Sequence, residues 1–210
     1  MSVQGSAEWL AERCGSVTAS RFSDVLAKIK SGESASRRNY RAEIVCERLT
    51  KTPADHFETA EMRRGTEQEP HARMAYEAMT GSFVVEQGFI KHPTIAWCGA
   101  SPDGFIGDDG GIEIKCPNTA QHIDALLKGM DSDHIAQVQG NLWVSGRRWW
   151  DFISYDSRLP EHLQLYVQRV NRDDTYIAKM EAEVKAFLAE VDELLAKLSK
   201  LGVKDLRKAA

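Results

Sequence analysis

Between Ser101 and Lys115 the chain has few ways to fold. Asp108-Asp109-Gly110-Gly111 is turn chemistry, and the flanking stretches Gly104 to Ile106 and Gly111 to Lys115 alternate as strands do, so the segment reads as a β-hairpin. In the second arm Glu113 and Lys115 point to one face, while Ile112 and Ile114 point to the other. Two isoleucines side by side demand a buried sheet, which places the hairpin in a core. Asp103 precedes the first arm, within cross-strand reach of Glu113, with the register open at this level.

The surrounding periodicities predict a mixed α/β architecture. Thr18 is a candidate N-cap for a helix in which Phe22, Val25, Leu26 and Ile29 share one face. Further helices are expected over 37–49 and 66–79, the latter closed by Gly81. Strands are expected over 83–90 and 95–99 as well as in the hairpin. Helices follow over 119–127 and 134–144, then strands over 149–155 and 163–170. The chain ends in a long helix, expected over 172–201, in which Ile177, Met180, Val184, Phe187, Val191, Leu194, Leu198 and Leu201 keep a heptad spacing. Leu188 and Leu195 widen that stripe, as in a helix packed on a globular body rather than in a two-stranded seam. No linker parts the 210 residues, so a single domain is expected, with a central sheet flanked by helices.

Two carboxylates and an ammonium, Asp103, Glu113 and Lys115, are hard ligands and a point charge. Unaccompanied by Cys or His, they suit Mg²⁺ or Mn²⁺ rather than zinc. An ion there would polarise a phosphodiester and activate water, with the lysine offsetting charge. The same residues also fit a turn Asp and a solvated Glu-x-Lys pair, which would be worth little. A third carboxylate, Glu69, lies in Thr66-x-x-Glu69, which by pattern is a capping box. His71, His122 and His134 lack ligand spacing and read as structural or solvated.

Taken together, Gly65-x₃-Glu69-x₂-Ala72-Arg73, Ser101-Pro102-Asp103-Gly104, Glu113-Ile114-Lys115-Cys116-Pro117 and Gln137-Val138-Gln139 with Trp143 resemble the lambda-type phage recombination exonucleases. Upstream, Arg13-x-Gly15-x-Val17-Thr18-Ala19-Ser20 extends the resemblance over roughly residues 8–180. It implies a restriction-endonuclease-like core. It also implies metal ligands in Asp103, Glu113, the Ile114 carbonyl and Glu69, a water-assisting Lys115, and Gln137 beside the site. Arg13, Ser20 and Ser101 would hold a terminal 5′ phosphate. The implied activity is 5′-to-3′ digestion of one strand of duplex DNA to mononucleotides by a homotrimeric ring, leaving a 3′ overhang for a single-strand annealing partner. A site-specific endonuclease on the same core and a non-catalytic DNA-end binder are the competing readings.

Composition bears on the grip. A formal net charge of -4 argues against holding a polyanion by bulk charge, yet the excess is local: residues 57–113 sum to -6, the segment carrying Glu69, Asp103 and Glu113. Arg37, Arg38 and Arg41, and Arg147-Arg148 before Trp149-Trp150, are candidates for phosphate contact and equally fit solvated faces. The amino terminus lacks signal-peptide character and no apolar run reaches membrane length, so a cytoplasmic protein of a host cell, free of membrane, is expected. Its four dispersed cysteines are expected to be reduced, buried thiols.

Overall fold

A computed structural model describes residues 2–54 and 59–201. The chain opens with α1 (Ala7–Arg13), β1 (Val17–Thr18), a 3₁₀ turn (Ala19–Arg21), α2 (Phe22–Leu26), α3 (Ala35–Thr50) and α4 (Ala60–Thr80). Short strands follow, β2 (Ile90–Lys91), β3 (Cys98–Ala100) and β4 (Gly104–Ile106), then β5 (Gly110–Lys115). Helices α5 (Thr119–Lys128) and α6 (Ile135–Ser145) lead to β6 (Trp149–Tyr155), β7 (Leu165–Asn171) and α7 (Asp174–Leu198).

The main sheet runs β4-β5-β6-β7, with β5 and β6 parallel and the outer pairs antiparallel. A parallel pair needs a long crossover, and α5 with α6 supplies it. The register Gly104↔Ile112 settles the hairpin and sets Asp103 beside Glu113. Gly110 and Gly111 stand opposite Trp149 and Trp150, and a Cβ at either glycine would come within 2.4 Å of the facing indole, so no larger residue fits there.

Two packed regions flank this sheet. Ile112, Ile114, Ile153 and Tyr155 meet Ala72 and Tyr76 of α4. Elsewhere α2, α3, α6 and α7 close around Phe22, Tyr40, Ile44, Trp143, Met180, Val184 and Phe187, capped by the small sheet β1-β3-β2. The heptad face of α7 is thus turned into the body, Ile177 through Val191 being buried there. Arg37 and Arg41 pair with Glu33 and with Glu190 of α7, which ties α3 to the last helix, while Arg38 is exposed. Among the described residues no helix is long and apolar enough to cross a membrane.

Several local expectations are corrected. Thr18 does not cap a helix: it belongs to β1, paired with β3 eighty residues on, and its N–H donates to the Tyr40 hydroxyl. The helix after it ends at Leu26, leaving Ile29 exposed. Helix α4 starts at Ala60 with Thr59 as its cap, so Thr66 lies inside the helix and Thr66-Glu69 is no capping box. Pro70 is carried in the helix interior. Residues 83–90 are mostly irregular, joined to the sheet by a single Val85 bridge to Phe105. All four cysteines are free thiols, but only Cys98 is buried and Cys46 is exposed.

Candidate active site

The carboxylates meet where β4 begins. Beyond Gly104 the first arm no longer supplies a main-chain partner, and Asp103 Oδ2 accepts the Ile114 N–H instead, at 2.6 Å. Glu113, only 2 % exposed, is not on a solvated face, because α6 covers it. Its Oε1 accepts from Lys115 Nζ at 2.7 Å and Gln137 Nε2 at 2.5 Å, and its Oε2 from Asn141 Nδ2 at 2.9 Å. Gln137 and Asn141 are four apart on α6 and so share one face. Sequence patterning missed Asn141; the Gln137-x₃-Asn141 spacing was its one visible signal. The Asn141 Oδ1 is buried with no donor among the described residues, which costs on the order of 1–3 kcal/mol.

Glu69 reaches the cluster from α4. Arg64, one turn earlier, donates to the carbonyls of Cys116 and Pro117, locking α4 against the end of β5. Burial pushes the Glu69 carboxyl above its ordinary value, and the Glu113 charge adds to this against Lys115. Asp103 is held well above the usual carboxylate range by burial and by the Glu113 and Glu69 charges. Burial alone would lower the Lys115 pKa, but the three carboxylates outweigh it and keep the ammonium.

This arrangement sacrifices stability. An acid whose folded pKa is raised destabilises the fold in its charged form; that penalty shrinks as pH falls below the folded pKa and is gone below the ordinary, unfolded value. Asp103→Asn keeps an acceptor for the Ile114 N–H and removes the charge. Without divalent ions its melting temperature is expected to rise by a few degrees at neutral pH, about 1 kcal/mol being worth about 2–4 °C at this size. An unchanged or lower value in differential scanning fluorimetry would show the repulsion to be absent.

The donor set fits a hard divalent ion. Three carboxylates against one ammonium leave a surplus of negative charge, and the ligands are oxygens. Among the described residues no three Asp, Glu, His or Cys side chains converge as a ready cage. An ion here would therefore take one or two carboxylates, the Ile114 carbonyl and waters, a mixture that Mg²⁺ commonly accepts.

Next to this cluster lies a second group. Ser101 Oγ accepts from Trp9 Nε1 at 3.0 Å, and the Arg13 guanidinium stacks 4.2 Å over the Trp9 ring. Arg13 also donates to Thr18 Oγ1 at 3.3 Å, and Thr18 Oγ1 lies 3.2 Å from Ser20 Oγ. Burial lowers the Arg13 pKa from its ordinary value, and among the described residues no carboxylate pairs with it. A partly desolvated guanidinium flanked by hydroxyls is an anion receptor. Arg13, Ser20 and Ser101 are thus brought together, two residues from Asp103, and Trp9 joins them unforeseen. Arg37 and Arg41 are engaged with α7 instead, and Arg147 with the carbonyls of Gly107 and Gly110.

On the far side of Lys115 a groove of about 650 Å³ runs between α4 and α5, lined by Arg64, Gly65, Asn118, Lys128, His134 and Phe152 among others. His134 stacks on Phe152 at 5.1 Å, and burial with the Lys115 charge lowers its pKa, so it borders the site. His122 is a satisfied core histidine, bonded to Ser154 and the Leu163 carbonyl.

Comparison with known proteins places the chain in a family. The YqaJ-like viral recombinase domain matches residues 8–148. The ExoD protein of Escherichia coli (strain K12) is 32% identical over 72 residues, 34% of this chain and 82% of ExoD. The crystal structure of an alkaline exonuclease, LHK-Exo from Laribacter hongkongensis, is 49% identical with a TM-score of 0.86, covering 93% of this chain and 97% of that one. LHK-Exo in complex with dAMP matches at 50% identity and TM-score 0.88, with the same coverage. A phage-related exonuclease from Haemophilus somnus 129PT, 16% identical, shares the fold at TM-score 0.71 over 87% of this chain and 96% of its own. The family match spans most of the chain and takes in Arg13, Glu69, Asp103, Glu113, Lys115 and Gln137, and the chain therefore belongs to the YqaJ-like viral recombinase family.

Proposed function

We propose that this protein is a Mg²⁺-dependent exonuclease that digests one strand of linear duplex DNA from its 5′ end. It would release mononucleotides and leave a 3′ overhang for recombination by strand annealing. The observation that carries this reading is adjacency: an arginine with no carboxylate partner among the described residues, flanked by hydroxyls, sits beside a carboxylate-lysine cluster, with Ser101-Pro102-Asp103 joining the two. A receptor for a terminal phosphate next to a hydrolytic centre selects ends. The dAMP complex of LHK-Exo lends support, since a deoxynucleoside monophosphate is the product class expected.

Asp103, Glu113 and the Ile114 carbonyl would hold the ion, with Glu69 serving a second position, and Mn²⁺ is an expected substitute. Once bound, the ion supplies a Lewis acid and lowers the pKa of water. Lys115 orients the attacking water and offsets negative charge on the phosphorus oxygens. Gln137 and Asn141 hold Glu113, and Arg13 with Ser20 and Ser101 binds the doubly charged end phosphate more strongly than an internal diester. With little bulk positive charge, retention on DNA falls to a homotrimeric ring around the duplex, and the overhang passes to a single-strand annealing protein.

The test uses Mg²⁺ with three substrates: linear duplex with a 5′ phosphate, the same duplex with a 5′ hydroxyl, and a covalently closed circle. Rapid digestion of the phosphorylated duplex to mononucleotides, slower digestion of the hydroxyl form and an intact circle are expected. Arg13→Ala should lose the phosphate preference, roughly tenfold or more, while still cutting. Cleavage of the circle would replace this reading with an endonuclease.

A further inference from the structure

We propose that Asn141 is a positioning residue that pins the inner oxygen of Glu113, so that the carboxylate offers the divalent ion one oxygen and not two. The inference rests on the reading of Glu113 as a metal ligand and goes beyond it to how the site chooses its ion.

Glu113 is gripped from opposite sides. Lys115 and Gln137 both bond Oε1, the oxygen shared with the charged cluster, whereas Asn141 bonds Oε2 from within the core, where it is itself only 1 % exposed. An arriving ion can displace a partly exposed Lys115 from Oε1. It has no comparable route to Oε2, since Asn141 is fixed in α6 between buried neighbours Gly140 and Leu142. The unpaired Oδ1 sharpens the point. An apolar residue of the same size would avoid that orphan acceptor but would strip Glu113 Oε2 of its donor, and reversing the amide would set Oδ1 against the carboxylate. A local rule broken beside a reactive group, with the amide orientation dictated by Glu113, marks a residue held for the site and not for packing. A one-oxygen carboxylate matters because Mg²⁺ demands near-octahedral geometry with short bonds, while Ca²⁺ readily takes both oxygens of a carboxylate. Pinning Oε2 disfavours Ca²⁺.

The test is metal binding to the DNA-free protein. Mn²⁺ is titrated with free ion read by electron paramagnetic resonance, and Mg²⁺ or Ca²⁺ is added as competitor, for the unaltered protein, Asn141→Leu and Asn141→Ser. Loss of the donor in Asn141→Leu should weaken Mn²⁺ and Mg²⁺ about tenfold or more, the usual effect of removing a partner of a ligand, with Ca²⁺ little changed. The Mg²⁺ over Ca²⁺ preference then falls, and the hydroxyl of Asn141→Ser should restore most of it. If Asn141→Leu does not fold, Asn141→Ala removes the same donor without bulk and is judged identically. Unaltered affinity and ion preference in the donor-less variant would overturn the proposal. Absence of any Mn²⁺ site sensitive to Asp103→Ala in the unaltered protein would overturn the underlying metal reading instead.

Discussion

Lys115→Ala is expected to lower DNA cleavage by roughly a hundredfold or more while leaving affinity for a duplex end within a few-fold. The ammonium faces Glu113, Asp103 and Glu69 together, and their charges keep it protonated against the penalty of burial. It is therefore a preorganised positive charge, which under the proposed function would act on the reacting phosphate and is worth most where water is excluded. In the proposed function end binding falls to Arg13 and its hydroxyl neighbours, which the substitution does not touch. A second readout separates chemistry from folding. Without Lys115 the three carboxylates lose the cation that faces them all, so the ion-free variant should melt below the unaltered protein and recover when Mg²⁺ is added. Cleavage within about threefold of the unaltered rate would remove Lys115 from the mechanism.

Phe187→Ala carries the largest expected cost in stability, about 3–5 kcal/mol. Phe187 is fully buried, stacked on Tyr40 with ring centroids 5.5 Å apart, and Arg37 lies over its ring at 5.2 Å. Its removal opens a cavity where α7 meets α3, in a region too densely packed to collapse. Against a typical domain stability of about 5–15 kcal/mol, that is a large part of the whole. Equilibrium urea denaturation should show the midpoint falling steeply with an unchanged slope. Leu127→Ala, at a position 77% exposed, should leave it unmoved. A small effect at Phe187 would mean that α7 is dispensable to the fold.

What the residues reveal alone tracks how local each feature is. The hairpin from Gly104 to Lys115 was legible because turn residues and alternation act over a dozen positions, and strand bounds at Trp149–Tyr155 followed from the same rule. Thr18 was misread because its strand is set by pairing with Cys98–Ala100, a partner no local pattern announces. Glu69 looked like a cap because Thr66-x-x-Glu69 has capping-box spacing, whereas helix–sheet packing and the Arg64 clamp carry α4 from Ala60 through it. Among the site residues, Asp103, Glu113 and Lys115 stood out by spacing. Asn141, Trp9 and His134 did not, since their roles exist only once α6, α1 and the turn after α5 are brought to the end of β5.

The crowding of Asp103, Glu113 and Glu69 around a single lysine also has an evolutionary sign. A carboxylate replaced by an uncharged group that keeps its hydrogen bonds relieves repulsion, so a copy of this gene released from selection is expected to tolerate, in its fold, an inactivating Asp103→Asn or Glu69→Gln substitution. Degenerate prophage relatives should therefore be found as stable, well-folded proteins with altered carboxylates rather than as unfolded remnants.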